Sequence, residues 1–321
     1  MGEADLRAML PYIRRQTSRF LDGCAQAGEC LPVAPEQGVM SACWLHRAKG
    51  AGERPVVFEV HGGGFATGDA RKGDALREWV RRSFDVHVVG VEYRPAPENP
   101  FPAGLDDVAA AIRRVLRLDG LEVDHSRVYL MGYSAGANLA AAYALRAQQT
   151  GEPAPAGLVL HYPCLDVAEV PSAESVRAED LPVDKMSAFS TWYAGKTPAT
   201  DSLISPLRAV DDALAAFCPC VLCPTEGDAL FSQAQRFYER LSSLGADARW
   251  MPVAGVYHGY IEDAGNLACY EAISMAETLQ TRPAGFKDAA ERALRQSLAE
   301  FLGPAIENLP LPDTREEETD D

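Results

Sequence analysis

Positive charge and long apolar runs are both scarce in this chain of 321 residues. Lys and Arg number 30 against 46 Asp and Glu, which gives a net charge of −16 at pH 7. Nucleic acids and anionic membranes are bound through basic faces that displace counterions, so this balance argues against both kinds of partner. No stretch approaches the ~18 consecutive apolar residues of a membrane span, and no basic start leads into an apolar h-region. We therefore expect a cytoplasmic protein, and we leave a homodimer open.

The excess of acidic residues is concentrated at the C-terminal end. Residues 313–321 hold six acids and a single base, Arg315, and so carry −5 of the net charge of −16. A run of like charge without apolar residues has nothing to bury. We predict that residues 311–321 form a disordered acidic tail and that the folded part is only moderately acidic.

Eight cysteines are present, but the chain lacks the features of a disulfide framework, which is typical of short secreted proteins. Three of them, Cys218, Cys220 and Cys223, have no second pair and no nearby histidine at ligand spacing. The run that contains them is apolar and predicts a buried strand. We interpret these cysteines as reduced core thiols rather than metal ligands, and we expect no metal and no organic cofactor.

From Pro55 onward, short apolar runs rich in β-branched residues alternate with amphipathic segments. This alternation is typical of an α/β protein in which helices cover both faces of a parallel sheet. The predicted strands cover residues 55–60, 86–91, 127–132, 157–162, 219–225 and 248–253. The predicted helices cover residues 72–84, 105–118, 135–148, 232–244 and 287–302.

Two regions interrupt the alternation. Residues 1–50 open with an amphipathic helix and continue as a loop-rich stretch, which predicts an N-terminal helical cap segment. Residues 166–210 form a long insertion with a short helical centre at 186–193, as is typical of a lid. The remaining chain, 51–310, is predicted to form one α/β domain around that insertion. No role is assigned to residues 260–286.

The strongest local motif is Gly132-Tyr-Ser-Ala-Gly136, between a predicted strand and a predicted helix. A serine at such a strand-to-helix turn is held in a strained backbone conformation, and the flanking glycines remove Cβ clashes. Ser134 would then project at the carboxyl edge of the sheet, in front of the helix dipole. We predict that Ser134 is a nucleophile; the alternative is a tight packing turn with a capping serine.

A second motif, His61-Gly-Gly-Gly-Phe65, directly follows the first predicted strand. Glycine lets the main chain approach a substrate closely enough for its N–H groups to bind a developing oxyanion. We predict that the amides of Gly62 and Gly63 are two such donors and that of Ala135 a third. A phosphate-binding loop is the alternative, but neither a following Lys-Ser/Thr pair nor a G-x-G-x-x-G spacing is present.

A serine nucleophile needs a histidine base, and only His161 and His258 follow Ser134 in the chain. In hydrolases with this turn the order is serine, acid, histidine. His161 ends a predicted strand, which favours a core or edge position. His258 lies in a loop after the last predicted strand, so we predict that it is the base.

The base needs an orienting carboxylate at the end of the preceding strand. Glu226 and Asp228 flank a glycine at that point, and both are candidates. We favour Asp228 because it follows the glycine turn out of the strand. The alternative role for Asp228 is to cap the helix that begins near Ser232.

These motifs resemble those of the hormone-sensitive-lipase-like esterases of the α/β-hydrolase superfamily. The similarity extends over about residues 55–260 and rests on segments 61–65, 92–107, 132–140, 205–207, 226–228 and 258–259. Tyr133 and Ala137 depart from the Asp and Gly common in that family. The resemblance implies an α/β-hydrolase fold with a mostly parallel central sheet, helices on both faces and a small helical cap. It also implies a Ser-His-Asp carboxylesterase that works through an acyl-enzyme.

Substrate preference is predicted from aromatic residues near the expected mouth of the site. They suggest an apolar pocket for small esters with short acyl chains, although core packing explains each residue equally well. The residues are Phe65, Tyr133, Trp192, Tyr257 and Tyr260. An amidase, carbamate hydrolase or lactonase using the same triad is the nearest alternative. A non-catalytic small-molecule-binding protein on this scaffold is the other.

Overall fold

The computed structural model describes residues 3–22, 26–34, 41–169, 183–265, 285–307 and 309–311. The predicted tail beyond Leu311, and parts of the insertion and of segment 260–286, lie outside these residues. The helices are α1 Glu3–Asp22, α2 Asp74–Phe84, α3 Ala103–Leu116, α4 Ala135–Thr150, α5 Val183–Ala194, α6 Asp211–Ala215, α7 Phe231–Ser243, α8 Tyr260–Gly265 and α9 Phe286–Leu302. Of the helices in this described part, none combines the length and the apolar character needed to cross a membrane.

Eight strands form one sheet. They are β1 Glu29–Val33, β2 Ser41–His46, β3 Arg54–Val60, β4 His87–Val91, β5 Val123–Tyr133, β6 Gly157–His161, β7 Cys220–Cys223 and β8 Ala248–Trp250. Their spatial order is β1-β2-β4-β3-β5-β6-β7-β8. The pairs β1–β2 and β2–β4 are antiparallel, and all the others are parallel. The predicted α/β-hydrolase fold with a mostly parallel sheet is therefore confirmed.

The central strands are apolar on both faces because helices cover both sides of the sheet. In β3, Val56 and Phe58 face one hydrophobic core, which α3, α4 and α7 complete. Val57 faces the opposite core, under α2 and α9. The side chains of successive residues in a strand point to opposite faces, so one continuous apolar run supplies both cores.

Two strands of the sheet lie in the region that we predicted to be an N-terminal helical cap. That prediction is wrong for residues 29–33 and 41–46, because β1 and β2 extend the sheet beyond β4. The prediction missed β1 because it contains Pro32, which is tolerated in an edge strand but weakens the strand pattern. At the other end, Leu311 is buried, so this residue does not belong to the predicted tail.

The cap consists of α1 and α5 in the described part of the chain. The indole N–H of Trp192 in α5 donates a hydrogen bond to Glu3 in α1 at 2.9 Å. The Arg14 guanidinium of α1 donates to the main-chain carbonyls of Ala66 and Ala96. These contacts fix the cap over the carboxyl edge of the sheet, next to the loop that follows β3.

Candidate active site

Ser134 occupies the sharp turn between β5 and α4. Its φ of 51° and ψ of −115° are unusual for a residue with a side chain, and they aim its side chain away from the strand. A Cβ atom added to Gly136 would lie well under 3.0 Å from the carbonyl oxygens of Val60 and His61. The start of α4 therefore packs directly on the backbone at the end of β3, and only glycine permits that approach.

The structure brings Ser134, His258 and Asp228 together. His258 Nε2 lies 3.0 Å from Ser134 Oγ, and His258 Nδ1 lies 2.8 Å from Asp228 Oδ2. A carboxylate only accepts hydrogen bonds, so Nδ1 donates to Asp228 and Nε2 accepts from the serine hydroxyl. Ser134 and Asp228 are 7% and 6% exposed, which keeps this chain of hydrogen bonds largely out of water.

The two candidate acids are separated by burial. Glu226 is exposed in the turn after β7, whereas Asp228 is buried against His258. The second carboxylate oxygen of Asp228 accepts a hydrogen bond from the Leu230 amide at 3.0 Å, just before α7 begins. Asp228 therefore contacts the imidazole and also satisfies a backbone donor near the helix start.

The loop 61–65 lies beside the nucleophile, but its first glycine does not fit the predicted role. The Gly62 amide donates to Glu262 Oε1 at 2.9 Å, so it is not available to an oxyanion and our assignment of Gly62 is wrong. No hydrogen bond from the Gly63, Gly64 or Ala135 amides to another described residue is present. Gly63 and Gly64 have φ of 113° and 59°.

His161 is fully buried, and its imidazole pairs with a tyrosine rather than with the serine hydroxyl. Its Nδ1 pairs with the Tyr260 hydroxyl at 2.8 Å, and its carbonyl accepts from the Ser134 amide. Burial lowers the pKa of His161 to about 3, so the imidazole is neutral in the folded protein. This residue is the core histidine that the sequence favoured.

The buried imidazole of His161 predicts acid sensitivity. In the unfolded chain the residue takes up a proton below about pH 6.5, whereas in the folded protein it stays neutral down to about pH 3. Its contribution to stability is therefore lost as the pH falls through that window. We expect the stability difference between wild type and His161→Gln to shrink by about 2 kcal/mol between pH 7 and pH 5.

Urea unfolding at pH 7, 6 and 5 measures this difference. His125→Gln is the matched control, because His125 is exposed and a surface substitution of this kind should change the free energy of unfolding by less than about 0.5 kcal/mol. A pH-independent difference for His161→Gln would contradict the assignment.

The aromatic residues predicted to line a pocket mostly serve packing. Tyr133 and Tyr260 are 1% and 0% exposed and lie in the core behind the site, so they do not line an open pocket. Trp192 is buried through its contact with α1. Tyr257 stacks on Phe286, with ring centroids 4.8 Å apart. Phe65 is buried beside the glycines but stacks on a cap residue.

The cap covers the glycine loop through the rings of Tyr193 and Phe189, two residues that we did not predict at the site. Phe65 stacks on Tyr193 of α5, with ring centroids 3.7 Å apart. The ring of Phe189, also in α5, lies against Gly64 so closely that a Cβ atom there would clash with it. Phe189, Trp192 and Tyr193 have the spacing of one helix face, and this spacing was the available signal.

A separate open groove of about 610 Å³ carries no further chemistry. Its lining residues are Asp166, Leu207, Arg208, Arg236, Glu239, Arg240 and Ser243. Arg208 pairs with Asp166 at 2.8 Å and Arg236 with Glu169 at 2.6 Å, so these cations already have counterions. None of the predicted site residues lines this groove.

The cysteines near β7 are thiols of the core or its edge. Cys220 and Cys223 are buried in the strand, and burial raises the pKa of Cys223 to about 12. Within the described ranges, no group of three or more His, Cys, Asp or Glu residues is arranged to hold a metal ion.

Comparison with known proteins places this geometry in a family. A family model described as the α/β-hydrolase fold matches residues 57–262. The chain is 35% identical over 228 residues to esterase LipI of Mycobacterium tuberculosis. This alignment covers 69% of this chain and 70% of LipI. It is 32% identical over 218 residues to carboxylesterase NlhH of the same species, and this alignment covers 65% of this chain and 67% of NlhH.

A solved structure gives the same result over almost the whole chain. A bacterial heroin esterase superposes with a TM-score of 0.71 at 27% identity and covers 92% of this chain and 93% of that one. The family match, the two mycobacterial relatives and this superposition agree with the motifs and with the sheet order. The chain therefore belongs to the hormone-sensitive-lipase-like carboxylic ester hydrolases of the α/β-hydrolase superfamily.

Proposed function

We propose that this carboxylic ester hydrolase works through an acyl-enzyme formed on Ser134, with His258 as the general base and Asp228 as the orienting acid. The observation that carries the proposal is the continuous chain of hydrogen bonds from Asp228 through His258 to Ser134, of 2.8 and 3.0 Å. A serine hydroxyl is a weak nucleophile unless an adjacent base removes its proton. The two contacts of the imidazole support His258 as that base and favour the tautomer that the reaction needs.

In the first half of the reaction, Ser134 Oγ attacks the ester carbonyl while His258 Nε2 takes the hydroxyl proton. Asp228 stabilises the resulting imidazolium through the hydrogen bond to Nδ1. The imidazolium then donates its proton to the departing alcohol as the C–O bond breaks. In the second half, His258 takes a proton from water as the water oxygen attacks the acyl carbon. The imidazolium then returns this proton to Ser134 Oγ as the bond between Oγ and the acyl carbon breaks, which releases the acid and the free serine.

The negative charge that forms on the carbonyl oxygen needs fixed donors. We assign this role to the amides of Gly63, Gly64 and Ala135, since the Gly62 amide is already bound to Glu262. Ala135 is the first residue of α4, so the positive end of that helix dipole supports the same charge. A single donor of this kind contributes roughly 3–4 kcal/mol to the transition state.

We infer that the substrates are small esters with short acyl chains. The aromatic rings of α5 close over the glycine loop, and Phe189 packs against Gly64. A bulky apolar ring at this place leaves room for a short chain beside the oxyanion donors and restricts a longer one. Phe189 is therefore the side chain of the cap that we expect to limit the length of the acyl chain.

Removing that ring should change the chain-length profile. We expect Phe189→Ala to raise kcat/KM for p-nitrophenyl octanoate relative to acetate by about tenfold, because one buried contact of this size corresponds to roughly 1–3 kcal/mol of discrimination. Rates on the acetate, butyrate and octanoate esters give the profile. Phe301→Ala is the matched control, since Phe301 is a partly buried ring that packs on Tyr129 at the other face of the sheet. An unchanged ratio in Phe189→Ala would contradict the role of this ring.

The activity itself is tested by hydrolysis of the same three esters by wild type and by Ser134→Ala. Wild type should turn over at least the acetate ester, and the variant should fall by at least ~10³-fold. Equal rates for the two proteins on every ester would remove the basis of the proposal.

We also propose a cytoplasmic location. The six described cysteines, including the exposed Cys30, are free thiols, which fits a reducing compartment. Alkylation of the protein from its native source, after denaturation but without reduction, should modify these residues as thiols. Disulfide-linked peptides containing any of the six would contradict the location.

A further inference from the structure

The glycine loop that we assign to the oxyanion has almost no side chains with which to pack, so contacts from elsewhere must hold it. Tyr93 donates its hydroxyl hydrogen toward the carbonyls of His61 and Gly62, at 3.1 and 3.2 Å. The Thr67 amide and hydroxyl both donate to the Gly63 carbonyl, each at 2.9 Å. These contacts fix the carbonyl side of the loop only.

On the amide side, the loop is held by a carboxylate from the other end of the chain. Glu262 Oε1 accepts from the Gly62 amide at 2.9 Å, although the two residues are 200 positions apart. A Cβ atom on Gly62 would overlap this carboxylate oxygen, so the close approach requires glycine. Glu262 lies in α8, four residues after His258.

The other oxygen of Glu262 leads to the catalytic histidine. Glu262 Oε2 accepts from the Tyr162 hydroxyl at 2.9 Å, and the Ile261 amide donates to the same hydroxyl at 3.3 Å. The Tyr162 ring packs edge-on against the His258 imidazole, with centroids 4.9 Å apart. Tyr162 has a φ of 35°, so the end of β6 is bent to place the ring there.

We propose that Glu262 is a positioning residue. One of its carboxylate oxygens holds the glycine loop and the other holds Tyr162 against the His258 imidazole, so that the loop and the imidazole keep fixed positions relative to the reacting serine. This inference rests on the proposed function, because Glu262 can only position catalytic groups if Ser134 and His258 carry the reaction. Catalysis requires the donors and the base to be placed together to within a fraction of an ångström, and a misplacement of about 1 Å can lower the rate ~10²-fold. A flexible triple glycine does not secure that placement alone.

The role depends on hydrogen-bond geometry and does not require a negative charge. Burial raises the pKa of Glu262, and the Tyr162 hydrogen bond and the nearby His258 oppose that shift. A glutamine has the same shape, and its side chain can accept from the Gly62 amide while its NH₂ donates to the Tyr162 oxygen. Glutamine is therefore the conservative replacement, and alanine removes both contacts.

The test compares Glu262→Ala and Glu262→Gln on p-nitrophenyl acetate. We expect alanine to lower kcat tenfold to hundredfold with KM changed less than threefold, and glutamine to restore kcat to within about fivefold of wild type. Wild-type kcat in Glu262→Ala overturns the inference, as does a loss in Glu262→Gln as large as that in Glu262→Ala. A rise in KM with unchanged kcat also overturns it, because that result indicates substrate binding.

Two controls separate positioning from general damage and from failure of the proposed function. Glu152→Ala removes a similarly half-buried carboxylate that binds Arg113 and Arg146 away from the site, and it should keep kcat within twofold of wild type. Ser134→Ala defines the background: wild-type turnover no higher than this variant overturns the proposed function and the inference together. If Glu262→Ala does not fold, Tyr162→Phe, which removes only the hydroxyl, should lower kcat threefold to tenfold; an unchanged kcat overturns the inference.

Discussion

Replacing His258 with alanine is expected to lower kcat for p-nitrophenyl acetate by at least ~10⁴-fold while leaving the fold intact. The imidazole is the only described group within hydrogen-bond reach of both Ser134 Oγ and Asp228, at 3.0 and 2.8 Å. Without it the serine hydroxyl keeps its proton at neutral pH. Steady-state rates, with circular dichroism as the check on folding, measure the effect.

The three residues should also act as one unit. We expect the double variant Ser134→Ala, His258→Ala to lose no more activity than either single variant, because each alone disables the same step. Asp228→Asn should lose about 10³- to 10⁴-fold, since an amide favours the wrong imidazole tautomer. Glu226→Gln is the matched control two residues away, and the exposed position of Glu226 predicts a rate within twofold of wild type. Additive losses in the double variant, or a larger loss in Glu226→Gln than in Asp228→Asn, would contradict the assignment.

Gly136→Ala is expected to have a large effect, because among the described glycines an added Cβ would approach other atoms most closely at Gly136. The new Cβ would fall well under 3.0 Å from the carbonyl oxygens of Val60 and His61, which belong to the backbone and cannot rotate away. Either α4 moves off β3 or the turn at Ser134 opens. We expect a loss of about 2–3 kcal/mol or more in the free energy of unfolding and at least a ~10²-fold loss in kcat.

Gly104→Ala is the matched control for that substitution. Gly104 lies in the first turn of α3, and its nearest neighbours would stand at 3.5 Å or more from the new Cβ, which is ordinary contact. Alanine there should leave activity unchanged and stability equal or up to about 1 kcal/mol higher. Urea unfolding and ester hydrolysis on both variants make the comparison. Wild-type behaviour of Gly136→Ala would contradict the close packing of α4 on β3.

Local patterns in the sequence were sufficient to predict the centre of the fold. The buried parallel strands are short apolar runs between amphipathic helices, so β3, β4, β5 and β6 could be placed to within a few residues. The strands β1 and β2, at one end of the sheet, were not predicted, because β1 contains Pro32 and β2 mixes buried with half-buried positions. Fewer of their residues are buried than in the central strands, so their apolar pattern is weaker.

The residues of the site also divide into those that local patterns predict and those that depend on the folded structure. Ser134 and His258 follow from motifs and chain order, but the choice between Glu226 and Asp228 depends on burial, which the sequence does not show directly. Our assignment of Gly62 failed because its partner, Glu262, lies 200 residues away. No pattern within the glycine motif indicates which of its amides is already bound.

The central claim is that Ser134 is the nucleophile, and active-site labelling tests it most directly. A p-nitrophenyl phosphonate forms a stable bond to the attacking oxygen, and intact-mass and peptide mass spectrometry then locate it. We predict one adduct per chain, on the peptide that contains Ser134, with no adduct in Ser134→Ala and much slower labelling in His258→Ala. Stoichiometric labelling of another residue, or labelling that persists in Ser134→Ala, would contradict the account.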